Sequence, residues 1–434
     1  MNEAFEIVVE KENNRKGFFN FYLQIFLYKI LLDYFYVEFI ATVFGYEGFD
    51  VDFEWWNYST SILLTLFLAY TLPKSVNTPS KLIIYLFFFI VLIPILSYQS
   101  LSKQPNWQLY SMLLQFLITI FFSTSFFSRK KSLFASISIR NGTSFIVKLS
   151  NIIVFGSLLY VYLKTGGGLN FDLTAVYEFR EEATLSINSG LMAYIVTWSV
   201  KVFNTLLIVF YLKRKKYLFF SLHIVIQILF FALLAQKSIL FAPIVLIFTF
   251  VLFEKIENKR RFLLFSFLSF LIVIGVFSLN SNNIMVGSMF LRRLLYLPAK
   301  LNFEYYEFFS KNEFVLLSNS YPLLIEYPYK ETTAKTIGLY LGTESSANTG
   351  FLATSYMHLG FFGIIVFPIL VGLLLKALDK ICAQIPYWIG SGITLIPFVS
   401  LVQSSDLMPA LFTHGLLVSL FLLTFFKDLE GKSK

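Results

Sequence analysis

Residues 82–98 read LIIYLFFFIVLIPILSY, seventeen positions without a charge. At the helical rise of about 1.5 Å per residue, such a run is close to the length needed to cross a hydrocarbon core of about 30 Å. It is apolar on every face, so it asks for an apolar surrounding on all sides rather than along one stripe. Eleven further apolar runs follow the same reading, near 19–44, 56–72, 107–127, 145–163, 190–212, 217–235, 238–253, 262–279, 350–375, 386–403 and 409–426. The expected fold is therefore all-α, a polytopic integral membrane protein of about twelve transmembrane helices with two larger outer-face loops. Residues 1–434 are expected to form a single membrane domain.

Composition agrees. Of 434 residues, 57% are hydrophobic and 14% charged, against about 45–50% and about 25% in soluble domains. Fifty-three Phe residues bring more apolar surface than one or two water-solvated cores conceal, which excludes an ordinary soluble enzyme. The single Cys, Cys382, excludes an intrachain disulfide and a Cys-based cluster, and three scattered His residues argue against zinc. Neither a metal nor a cofactor is expected. The net charge of +9 is not joined to a soluble folding unit, so it points to membrane topology and not to nucleic acid.

The positive-inside rule orders the loops. One face collects Lys11, Arg15 and Lys16; Lys74 and Lys81; Arg129, Lys130, Lys131 and Arg140; the run 213–216; Lys255, Lys259, Arg260 and Arg261; Lys376 and Lys380; and Lys427, Lys432 and Lys434. That face is expected to be cytoplasmic and to hold both termini. The first 17 residues lack an apolar region ahead of a small-residue cleavage site, so no cleaved signal is expected. The other face carries short acidic or neutral links such as 47–54, and two long loops, about 164–190 and 280–348.

The first long loop holds Gly166, Gly167 and Gly168, then Asp172, Tyr177, Glu178, Arg180, Glu181 and Glu182. With no flanking strand and helix, the three glycines read as a flexible entry and not a phosphate-cradling loop. The second opens with helical character over 289–311, where Arg292 and Arg293 stand among leucines ahead of Pro298 and the aromatics Tyr305, Tyr306, Phe308 and Phe309. Apolar and basic residues in that mixture suit a helix lying in the membrane interface.

Arg180, Arg292 and Arg293 are the three outer arginines. The rule that keeps basic residues inside makes them unusual, and a planar guanidinium binds phosphate in bidentate fashion. Pairing with nearby Glu residues is the alternative. Lys237, in an outer turn, reads either as a third anion contact or as a snorkelling end residue. Within the spans, Lys29 and Asp33 are four apart and share a helix face. Lys201 has no acidic residue a helical turn away in the sequence and is expected to face the bundle interior or a water-filled cavity, either with a functional role or in a structural pair with Asp or Glu of another helix. The stretch from Asn348 through Tyr356, His358, Gly360 and Gly363 starts a span with small and polar residues. There His358 reads as a proton acceptor or as a hydrogen-bonded structural group.

The pattern resembles the Wzy-type O-antigen and capsule polymerases, which share an architecture with the O-antigen ligases. The resemblance covers the span layout. It rests on the 177–180 cluster, on Gln236-Lys237-Ser238 at an outer turn, on Arg292 followed by Pro298, and on Asn348-Thr349-Gly350-Phe351 running through Tyr356 to Gly360 and Gly363. The family's spacing between a loop Arg and a following Gly is not met: Gly190 stands ten residues after Arg180, and Arg292 has no Gly at that distance.

The resemblance implies a glycosyltransferase of the bacterial cytoplasmic (inner) membrane that uses no nucleotide sugar. It would transfer a growing glycan from undecaprenyl pyrophosphate to a lipid-linked repeat unit at the outer face. Arg180, Arg292 and His358 are the implied catalytic residues, with Tyr177, Lys237, Arg293, Tyr305 and Asn348 against substrate; Glu178 and Glu181 are alternative bases. The implied partners are undecaprenyl-pyrophosphate-linked oligosaccharide and the lipid bilayer, with a chain-length regulator and a flippase as candidate protein partners. A transporter or flippase of lipid-linked oligosaccharide and an O-antigen ligase are the competing functions. Replacement of the outer arginines separates the polymerase from a transporter, which should depend on Lys201 or on Lys29 and Asp33.

Overall fold

The computed structural model describes the backbone of residues 2–124, 142–171, 190–280, 284–319 and 325–429, with Phe179 and Ser186; side chains are described from Phe19 on, apart from those of Lys237, Ser238 and 427–429. Every described element is a helix. α1 (Asn2–Phe35) continues through a π-helical turn, Tyr36–Ala41, into Thr42–Phe44. α2 is Trp55–Thr71, α3 Pro79–Leu101, α4 Asn106–Thr124, α5 Gly142–Lys164, α6 Gly190–Lys213, α7 Tyr217–Leu234, α8 Lys237–Glu254 and α9 Lys259–Asn280. A π-helical segment, Ser288–Tyr296, leads into α10 (Leu297–Phe309), followed by α11 (Thr333–Tyr340), α12 (Phe351–Cys382), α13 (Tyr387–Gln403), α14 (Leu407–Leu411) and α15 (Leu416–Leu423).

Each of the twelve expected apolar segments is helical over most of its described length, the last being interrupted between Leu411 and Leu416. Eight helices among the described residues are long and apolar enough to cross a bilayer, and the chain is an all-helical polytopic membrane protein. Two others, Ile239–Glu254 and Tyr387–Gln403, are apolar but shorter. α1 carries Lys29, Asp33 and Glu38, and α2 has 17 residues.

Burial separates core helices from lipid-facing ones. α3 is the innermost, with 89% of its apolar window buried, whereas α5 and α9 bury 33% of theirs and turn residues such as Ile152, Leu163, Phe265 and Phe277 outward. Exposed apolar surface of that extent is what lipid, not water, tolerates. A wide π turn at Phe88–Leu92 lies just before Pro94 in α3. Proline has no N–H to donate, and the wide turn absorbs the interrupted hydrogen-bond ladder. Gly372 of α12 lies against α4, where a Cβ would stand 2.8 Å from the Thr119 carbonyl oxygen; a small residue there lets the backbones approach.

The buried charges of α1 are paired with each other, as a low-dielectric interior requires. Lys29 donates to both Asp33 oxygens at 2.7 and 2.6 Å, and both residues are buried. The Ser97 hydroxyl also donates to Asp33 and lies 2.8 Å from the Tyr296 hydroxyl. Lys201 meets a histidine: its Nζ lies 2.7 Å from His414 Nδ1.

Links at each end of the bundle touch one another. Lys103, between α3 and α4, lies 3.9 Å from both Asp52 and Glu54, between α1 and α2. At the other end Arg260 reaches the Lys74 carbonyl. α10, expected in the membrane interface, is instead packed inside, with Pro298, Leu301, Phe303, Tyr305 and Tyr306 all buried. Its apolar residues surround the helix rather than lining one stripe, so it is enclosed by α3, α4 and α12.

Candidate functional site

The π-helical segment Ser288–Tyr296 decides where Arg292 points. The Leu297 N–H donates to the Arg292 carbonyl, five residues back, and the wider turn rotates neighbouring side chains relative to an α-helix. Phe290, Leu291, Leu294 and Leu295 line a narrow apolar seam with Tyr28, Ile90, Phe267 and Leu271 of α1, α3 and α9. Arg292 emerges beside that seam, buried itself.

Its guanidinium is held on three sides. Nη1 pairs with Glu47, Nη2 donates to the Ser288 hydroxyl at 3.1 Å, and the Cζ atom sits 4.4 Å from the centre of the Phe44 ring. The third nitrogen, Nε, is buried without a hydrogen-bond partner. Buried donors in that state are uncommon and mark places where a water, ion or ligand completes the shell. Arg293, next along, keeps its side chain at the surface. Desolvation pulls its pKa down while the Glu47 carboxylate pushes it up, and a guanidinium stays charged through either effect.

Glu47 is positioned by the turn that holds it. Gly48 follows with φ +82°, a left-handed conformation that costs glycine little, and the space over its Cα is filled by Lys300, whose Cε would lie 3.1 Å from a Cβ. Lys300, from α10, donates to Glu304 at 2.6 Å. The Tyr36 hydroxyl donates to the Asp50 carbonyl at 2.8 Å and fixes the far side of the loop. Three cations and two carboxylates thus meet where the end of α1 touches the second long loop.

A second polar node lies at a break in α12. Leu359 and Gly360 leave the helical region, Gly360 at φ +57°. The interruption frees carbonyls, and three consecutive backbone donors answer it. Val315 N–H donates to the Met357 carbonyl at 3.0 Å, Leu316 N–H to the His358 carbonyl at 3.3 Å, and Leu317 N–H to His358 Nδ1 at 3.1 Å. Since a backbone N–H can only donate, Nδ1 carries the lone pair and Nε2 the proton. Nε2 then donates to Asp406 Oδ2 at 2.8 Å. The other Asp406 oxygen accepts from the Thr354 hydroxyl at 3.1 Å and from the Leu407 N–H at 2.6 Å, capping α14.

Both His358 nitrogens are therefore occupied, and the ring is fully buried. A base role requires release of one of these two bonds. The nodes are joined through α13: Gln403, three residues before Asp406, donates to the Leu294 carbonyl.

Tyr305 is buried and donates to the Ala347 carbonyl at 2.7 Å, while Asn348 is exposed beside it. Tyr306 stacks on Tyr356 at 4.6 Å and accepts from Gln115 at 2.9 Å. Trp107 and Phe361 lie against Tyr356 and reach the surface. Tyr177, Glu178, Arg180 and Glu181 lie outside the described residues, as does the side chain of Lys237.

Glu47 and Asp406 were not singled out in the sequence, although each leaves a trace there. Glu47 opens an acidic outer link, and Asp406 is a lone carboxylate between two apolar runs. Among the described residues, no group of three His, Cys, Asp or Glu side chains is placed to hold a metal ion. No family model, curated protein or solved structure matches the chain.

Proposed function

We propose that the protein polymerises lipid-linked oligosaccharide repeat units at the outer face of a bacterial cytoplasmic membrane, with both termini inside. The growing glycan leaves undecaprenyl pyrophosphate for a hydroxyl of an acceptor repeat unit. The bond from the anomeric carbon to the phosphate oxygen breaks, the bond to the acceptor oxygen forms, and the acceptor hydroxyl gives up its proton to the departing pyrophosphate or to water. Arg292 is the observation that carries this reading. It is a cation fixed on Glu47, Ser288 and Phe44, with Nε buried and lacking a hydrogen-bond partner, next in the chain to Leu291 of the apolar seam. A polyprenyl pyrophosphate is an anionic head on an apolar chain, and preorganised positive charge is most effective where leaving-group charge develops.

In this reading Arg293 joins Arg292 at the pyrophosphate, with Arg180 and Lys237 of the first loop and the outer turn as further contacts. His358 is a positioning residue, holding the broken α12 against 315–317. The test is a gel of surface glycan from a strain lacking the gene, complemented by wild type, Arg292→Ala or Arg180→Ala, with membrane levels checked by immunoblot. A ladder restored by wild type alone supports polymerisation. Polymer trapped on the lipid carrier points to a ligase, and an unchanged ladder in the deletion strain removes glycan assembly altogether.

A transporter of lipid-linked oligosaccharide is the second reading, favoured by the broken α12 and the buried Lys29 and Asp33 pair. Interrupted helices and intramembrane charges are common parts of transporters. Loss of even the single surface repeat unit in the deletion strain selects it.

A further inference from the structure

A large cavity lies at the opposite end of α1 from Arg292. It encloses about 1230 Å³ between the start of the apolar part of α1, the end of α2 with the 74–77 turn, and the 257–261 link into α9. Among the described residues four cations line it, Lys74, Lys259, Arg260 and Arg261, against one carboxylate, Glu257. Its other wall is apolar, built from Leu23, Leu27, Leu72 and Leu264. Leu23 and Leu27 are each 40% exposed and Tyr70 71%, so the mouth opens beside lipid-facing surface rather than into a sealed core.

Arg260 makes this more than a cluster of snorkelling side chains. Its guanidinium carbon lies over Phe21, 3.4 Å from the ring centre, and its Nη1 reaches the Lys74 carbonyl at a long 3.5 Å. Its Nε is buried and has no hydrogen-bond partner. A snorkelling arginine sends its whole head to water, whereas this one is pinned by Phe21 with a donor left unmet. A bound anion satisfies that donor and neutralises the excess charge.

We propose that the cavity binds a phosphate-bearing lipid headgroup, with Arg260, Lys74 and Arg261 on the phosphate and Leu23, Leu27 and Leu264 along the first carbons of the chains. The volume exceeds what a free phosphate fills, and the half-apolar wall has no use for one. This end of the bundle is the one the positive-inside rule places in the cytoplasm, where anionic lipids concentrate. The proposal is independent of the polymerase reading.

Native mass spectrometry of the full chain in detergent tests it, with phosphatidylglycerol, phosphatidylcholine or inorganic phosphate added to delipidated protein. Wild type is expected to retain phosphatidylglycerol over phosphatidylcholine by about tenfold or more, and Arg260→Gln and Lys74→Gln to lose about fivefold each, the worth of one basic contact at a membrane surface. Arg260→Lys, which keeps the charge and serves as the control for folding, is expected to retain most of the preference. Lys213→Gln with Lys215→Gln, on the same face but outside the cavity, is expected to change nothing. Equal loss in that control pair overturns the proposal in favour of diffuse surface charge. Competition by inorganic phosphate at equal concentration overturns the lipid source, and equal retention of the two lipids overturns the site.

Discussion

Charge alone does not define Arg292; its geometry does. Two nitrogens of the fork are committed to Glu47 and Ser288, the flat face to Phe44, and the third nitrogen to no protein acceptor. A lysine keeps the charge but has neither the fork nor the flat face. Arg292→Lys is therefore expected to slow ladder formation nearly as far as Arg292→Ala, about a hundredfold, at unchanged membrane level; full rescue by lysine would remove the fork from the mechanism. Glu47→Gln leaves a largely buried guanidinium without its counter-charge. The expected loss is about 3 kcal/mol of stability, read as a lower Tm of the purified chain in detergent. Arg292 was legible in the sequence because a basic residue in an outer loop is out of place. Glu47 was not, since the two are 245 positions apart and only the folded chain brings them together.

At the level of elements, the helices were legible in place though not in their bounds, because apolar runs long enough for a bilayer leave the backbone no alternative to helix, whereas the polar extensions, 2–18 before the first run and 376–382 after the tenth, carry no such signal. What the sequence did not disclose is that one of them is broken. Gly360 and Gly363 were visible as small residues, but the reason for them is the 315–317 segment and the way the chain folds over itself. A Cβ on Gly360 would lie 2.9 Å from the Phe314 ring at a φ of +57°, and one on Gly363 would overlap the Ser355 carbonyl. Gly360→Ala is expected to destabilise the protein by about 1–3 kcal/mol. Trimming the ring as well, in Gly360→Ala with Phe314→Ala, relieves the clash but not the backbone strain, so the pair should not recover the wild-type Tm. Asp406→Ala strips His358 Nε2, Thr354 and the α14 cap of one shared acceptor. It is expected to release the break, seen as faster hydrogen exchange at Val315, Leu316 and Leu317. Exchange as slow as in wild type at those three amides would mean that the carboxylate does not hold the break closed.

For the molecule as a whole, the buried Lys29 and Asp33 pair separates the two functional readings. Replacing one partner strands the other charge in the bundle, and Lys29→Leu alone is expected to cost about 3–5 kcal/mol. Replacing both with leucine removes the desolvation penalty of each ion along with their attraction, so the double variant should regain most of that stability. The Ser97 and Tyr296 hydroxyls still bond one another without Asp33, and Tyr296 still donates to the Leu32 carbonyl at 2.8 Å. The segment carrying Arg292 therefore keeps its anchor to α1 in the double variant. A polymerase whose chemistry sits at Arg292 should then form a normal ladder, because the pair lies deeper along α1 than the Glu47 turn and touches no reacting atom. A transporter that moves its cargo past these charges should lose the surface repeat unit while remaining folded. Glycan gels and a Tm on the same preparation decide between them: a stable double variant that forms no polymer and delivers no single unit overturns the polymerase reading.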